Sequence, residues 1–203
     1  MSGQALRMGK PAEAARVYDD AFAHYPVMRF VLATEEPYAE RITALHDMWA
    51  QEAELHGYMI LVVEADGLVA AAATVVEPGT PTESSAYDEA VRQVWEGLGA
   101  ATEARYDAYR DAARAVHSPR PGMYLDMLGV MSAAQGMGLA RLLLEEVQAR
   151  SAANPASEGV FLTTENPVNV AFYERFGYEV IAHVRVSDTL ETWGFFRPDD
   201  VSS

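Results

Sequence analysis

Two different spacings of apolar residues alternate along the chain, and each change of spacing marks a new element. Residues 11–23 carry Ala14, Val17, Ala21 and Phe22 on one helical face, with Pro11 suited to the first turn; residues 5–8 before them read as an edge strand. A longer helix is expected over 37–56, where Ile42, Leu45, Trp49 and Ala53 recur at three or four residues and Gly57 stops the repeat. The spacing then shortens. Residues 58–65 and 68–76 are extended apolar runs around Asp66-Gly67, the signature of an antiparallel hairpin. Residues 84–116 are Ala-rich and predict two helices separated around 97–99.

After a Pro/Gly-rich break at 118–122, residues 123–131 predict a strand. Residues 136–152 predict a helix whose stripe is Leu139, Leu142, Leu143, Val147 and Ala149. Residues 159–164 form a further strand, 168–176 a short helix, and 178–186 and 190–196 two closing strands. This order implies an α/β (α+β) fold with a central mixed sheet covered by helices. Neither half alone completes that sheet, so residues 1–203 read as one domain with a helical insertion at about 84–117.

Charge narrows the partners. With 30 acidic against 15 basic side chains the formal charge is -15, a field that disfavours nucleic acid and anionic membranes and suits a cationic partner. No apolar run is long enough to cross a bilayer, residues 1–10 lack a signal-peptide core, and cytoplasm is the default location. There are no cysteines, which excludes thiolate nucleophiles and cysteine-held metals. His24, His46, His56, His117 and His183 show no metal-ligand spacing, so surface or satisfied roles are expected and no metal is.

Chemistry gathers where the 123–131 strand gives way to a helix. Gly136, Gly138 and small Ala140 stand at that junction; unpaired amides at a helix start can face a phosphate, and missing side chains let it come close. A plain tight helix entry would have the same composition.

Gln135-Gly136-Met137-Gly138-Leu139-Ala140 fits the Gln/Arg, two any, Gly, any, Gly/Ala signature of the GCN5-related N-acetyltransferases, the GNAT superfamily, which the chain resembles. A second segment, Asn166 through Tyr173 to Gly177-Tyr178, fits that family's later pattern. The resemblance covers about 58–76 by layout and 123–186 by motif and layout. It implies a GNAT-like, mostly antiparallel sheet and acetyl-CoA as cofactor. Its diphosphate would lie on Gln135, Gly136, Met137, Gly138, Leu139, Ala140 and Arg141, and its pantetheine arm along Leu128 and Val130. Asn166 and Asn169 are further cofactor candidates, although Asn166 before Pro167 is also a good helix start. Ser132 stands where many relatives have proline, and the simpler reading of Arg141 is a solvated surface charge.

The resemblance makes Tyr173 the candidate acid. A phenol is protonated at neutral pH and can serve a departing thiolate. Asp126 is the candidate base or acceptor-orienting group, a carboxylate in an apolar strand where burial raises its pKa. Strict alternation puts Tyr124, Asp126, Leu128 and Val130 on one face and Leu125, Met127 and Gly129 on the other. Glu64 is a weaker base candidate, and water linked to a carboxylate is another.

By the same resemblance the connection between the first two helices walls the acceptor, so Phe22, Tyr25, Met28 and Arg29 are expected to line it; Pro26 otherwise reads as a helix terminator. This run, Asn169 and the 172–175 segment are similar to the puromycin N-acetyltransferase branch. The implied activity is acetyl transfer to a primary amine of a small molecule or, less readily, a protein. Two other readings stay open: a non-catalytic acyl-CoA sensor, and an interaction protein using 84–116 as a homodimer seam.

Overall fold

At Asp66-Gly67 both residues take positive φ, 53° and 79°, the left-handed pair a two-residue hairpin turn requires. The strands it joins are β2 (Met59–Ala65) and β3 (Leu68–Val76). The structure, a computed structural model, describes residues 3–33, 36–81 and 85–199. The hairpin sits in a seven-stranded sheet of order β1-β2-β3-β4-β5-β7-β6, completed by β1 (Gln4–Met8), β4 (Met123–Val130), β5 (Gly159–Thr164), β6 (Glu179–Ser187) and β7 (Leu190–Pro198). Pairing is antiparallel except between β4 and β5. This is the mixed, helix-flanked sheet that the order of elements implies, mostly antiparallel as the resemblance implies.

Helices α6 (Leu139–Ala153) and α7 (Val168–Glu174) cover one face. There Leu139, Leu143, Leu144, Val147 and Tyr173 pack with Leu61, Ala71, Ala73 and Leu125. Helix α1 (Pro11–Ala21) covers the other, with Ala14, Val17 and Tyr18 against Ile60, Val62 and Ala72. Its approach to β4 depends on Gly129, where a Cβ would stand 2.9 Å from Tyr18 Cδ1 and 3.1 Å from Ala21 Cβ. A third apolar cluster joins α2 (Pro26–Leu32), α3 (Tyr38–His56) and α4 (Ser85–Leu98) through Leu32, Leu45 and Trp95. Gly99, at φ 88°, separates α4 from α5 (Ala100–Ala115); residue 84, the expected first residue of the insertion, lies outside the described residues.

Three sequence expectations change. Pro26 does not end a helix; it opens α2, because proline's fixed φ and missing N–H suit a first helical turn. Helix α6 begins at Leu139 after a 3-10 turn at Ser132–Ala134, and Ala149 is exposed, its place in the stripe taken by Leu144 and Ser151. The third change is in β4. Thr74 pairs with Met127 but Val75 pairs with Leu125, so Asp126 is a bulge with no opposite residue. A bulge reverses the alternation: Met123, Leu125, Leu128 and Val130 share the α6 face. Met127 and Gly129 turn toward α1. Leu128 and Val130 therefore do not share a face with Tyr124 and Asp126, since the extra residue flips every position after it.

Candidate active site

Strands β4 and β5 pair in parallel at only three positions, the last being Leu125 with Leu162. Beyond it β4 runs on to Val130 and β5 to Thr164 without pairing to each other. Backbone N–H and C=O groups on the facing edges of the two strands are thus left for another partner. The divergence begins at the Asp126 bulge, which bends β4 where the pairing stops.

The glycine junction follows at the end of β4. Gly136 and Gly138 have φ of 81° and 80°, and a Cβ on either would meet nothing within 4 Å. Their need for glycine comes from backbone conformation, and the space above them is open. Gly138 precedes the first turn of α6, and the N–H groups of Gly138, Leu139, Ala140 and Arg141 have no acceptor among the described residues. Four convergent amides at the positive end of a 15-residue helix fit a diphosphate. Gln135 and Met137 are exposed beside them. The Leu139 side chain is buried in the core, so only its amide can serve. Arg141 forms a surface ion pair with Glu145 at 2.6 Å, in keeping with a solvated charge. Ser132 has a structural use that proline lacks, its N–H donating to Asp20 of α1.

Between the diverging strands and helices α1–α3 and α5 lies a cleft of about 520 Å³. Tyr173 reaches it from α7 and Asp126 from the β4 bulge. The Tyr173 side chain is largely buried, and its hydroxyl has no hydrogen-bond partner among the described residues. Burial, and secondarily the Glu165 carboxylate, hold this phenol well above its usual pKa, so it keeps its proton. Asp126 is exposed, and it lines the cleft among aromatic side chains. Desolvation and then the Glu52 carboxylate push Asp126 up to about 7.

The acetyltransferase (GNAT) domain family matches residues 108–193, a span holding both sequence motifs, the strand divergence and Tyr173. A solved structure described as histone acetyltransferase HPA2 and related acetyltransferase, from Corynebacterium glutamicum, superposes with a TM-score of 0.72 at 19% identity, covering 100% of both chains. This chain has the GNAT fold. The polyamine N-acetyltransferase of Drosophila melanogaster matches with a TM-score of 0.61 at 14% identity, covering 97% of this chain and 100% of that one. The putative acetyltransferase yncA of Salmonella typhimurium, solved with acetyl-CoA, gives 0.53 at 17%, covering 98% and 96%. At these identities the likeness is one of fold.

Within this GNAT fold the asparagines have structural partners. Asn166 Oδ1 accepts the Val168 N–H at 3.1 Å, a side-chain turn leading into α7, and Asn169 Nδ2 donates to Thr164 Oγ1 at 3.1 Å beside the cleft. Phe22, Tyr25 and Met28 line the cleft, whereas Arg29 is exposed and is not part of the lining. Glu64 is also elsewhere, paired with Arg7 at 2.7 Å on the β1–β2 side. Helix α5 lines the cleft with Tyr106, Tyr109, Arg110, Ala113 and Arg114, whose three- and four-residue spacing is visible in the sequence.

The sequence reading also missed Glu165. It follows β5 directly, lies in the cleft wall and is 5% exposed. Its Oε1 accepts from Thr192 at 2.9 Å and Tyr109 at 3.2 Å. Burial raises it to about 7 against those hydrogen bonds. An acid at the end of an apolar strand, Gly159–Thr164, was the available signal. No helix among the described residues is long and apolar enough to cross a membrane.

Proposed function

We propose that residues 1–203 form one acetyltransferase domain that moves an acetyl group from acetyl-CoA to a primary amine of a small molecule in a cytoplasmic setting. The observation that carries this reading is the divergence of β4 from β5, which leaves an open strand edge between free helix amides at one end and an unpartnered phenol in the cleft. Acetyl-CoA supplies the activated acyl thioester. The amides of 138–141 would hold its diphosphate, with Gln135, Gly136 and Met137 around it. The backbone of Leu128 and Val130 would meet its pantetheine arm. Asn169 and Asn166 keep the α7 side of that channel in shape.

Asp126 takes a proton from the acceptor ammonium, since only a neutral amine attacks, and a carboxylate near 7 is matched to that task. Tyr173 holds a proton at Oη for the departing thiolate. With no cysteine in the chain, direct transfer between the two bound substrates is the simplest route. The test is purified protein given acetyl-CoA and a panel of primary amines, with free CoA followed in time. Release that requires both substrates is expected; CoA binding with no release across a broad panel would favour an acyl-CoA sensor.

The Asp126 role has a pH signature. A base must be deprotonated, so kcat/KM should rise with pH through about 7. Asp126→Asn should abolish that inflection and lower the rate on its alkaline side by about 10²-fold. A profile identical in the variant would exclude Asp126 as the group that titrates.

A further inference from the structure

The charge inside the cleft exceeds what one ammonium neutralises. Glu52, Asp126 and Glu165 all line it. Two arginines also line it, and each is paired with an acid of its own helix α5, Arg110 with Asp107 at 2.7 Å and Arg114 with Asp111 at 3.7 Å. Burial and the nearby Arg114 favour the neutral form of His117. The cleft interior is therefore anionic, and its carboxylates, hydrogen-bonded but without a cation, call for cations from outside.

The carboxylates form two separate groups. Glu52 comes from α3 and accepts hydrogen bonds from Tyr58 at 3.3 Å and Tyr87 at 2.8 Å; its charge is felt by Asp126 on β4. Glu165 stands at the end of β5, on the far side of the strand divergence, against Tyr25 and Tyr109. Thr192 and Tyr109 donate to Oε1 and the Tyr25 hydroxyl also acts on the carboxylate, which leaves room for one more donor from the cleft, since an ionised carboxylate has about four acceptor sites. The surface between the groups is aromatic, with Trp49, Tyr106 and Tyr124 also in the lining. Aromatic faces attract desolvated cations and accommodate methylene chains.

Building on the acetyltransferase reading, we propose that the acceptor is an aliphatic amine with a second cationic group, one cation facing Glu165 and the other facing Asp126 and Glu52. A terminal carboxylate or an uncharged end would leave one acid group unmatched. Either substrate nitrogen can be the one acetylated, provided it reaches the divergence in its neutral form.

The experiment compares butane-1,4-diamine with butan-1-amine, which share a carbon chain and differ in one charge. Affinity is measured by calorimetry on the full chain with CoA present, and kcat/KM by release of free CoA from acetyl-CoA. The diamine should be favoured at least about tenfold in both, an amount expected for one matched charge in a desolvated site. Glu165→Gln, which keeps shape and removes charge, should shrink the ratio at least about fivefold. Equal affinity and equal kcat/KM for the two amines in the unaltered protein would overturn the proposal, whatever the variant does. An unchanged ratio in folded Glu165→Gln would overturn the role of that residue. Preferential diamine binding without CoA release from either amine would support the two-cation site and count against acetyl transfer, so the two readings fail separately.

Discussion

Tyr173→Phe should lower kcat by about 10²-fold or more, the range for removing a positioned general acid, while leaving CoA affinity within a factor of about two. The asymmetry follows from where the hydroxyl is. The ring belongs to the core below the sheet and packs near Phe172, Tyr178 and Phe195, and phenylalanine preserves that packing. The hydroxyl makes no hydrogen bond among the described residues, so its loss breaks nothing in the folded chain. Burial holds it protonated across the neutral range, and its contribution to turnover should not vary between pH 6 and 9. Steady-state kinetics at saturating substrates, with CoA titrated separately, provide the check. Unaltered kcat would remove Tyr173 from the chemistry and leave it a core aromatic.

The second large effect is expected at the glycine junction. Gly138→Val should weaken CoA binding by at least about tenfold, or 1.4 kcal/mol. It should cost the fold roughly 1–2 kcal/mol, the penalty for a side chain in left-handed backbone. The costs have different origins. Gly138 sits at φ 80° with open space above it, where a Cβ meets no atom within 4 Å. The valine methyl groups project over the first amides of α6, and the strained residue tends to pull the helix start out of line. A thermal melt reports the conformational cost and a CoA titration the blocked amides. Undiminished affinity in a folded variant would show that the diphosphate does not lie there.

Much of this was legible along the chain. The Asp66-Gly67 turn, the β5 boundaries and the Gly57 stop of α3 are local events, fixed by residues whose preferred dihedral angles leave few alternatives. The motif at Gln135–Ala140 and the Asn166–Tyr173 segment pointed to the same family later found through residues 108–193. They could do so because a helix start that binds phosphate and a short helix that carries a phenol each need particular residues within one turn of chain.

What failed was non-local. The face of each β4 residue depends on a bulge, and the bulge exists because β3 pairs out of step on either side of Asp126; nothing within 123–131 reports its partner's register. Glu165 acquires its environment only when Thr192, Tyr109 and Tyr25, from three distant segments, close around it. The cleft itself joins α3, α5, β4 and β5, so its aromatic walls appear in sequence as scattered tyrosines. By itself the sequence determined the elements other than α2, their order and the glycine junction, since those follow from backbone preference and periodicity over a few residues. Only the tertiary structure decided which carboxylates share a cleft, because burial and charge proximity arise when segments far apart in the chain pack together.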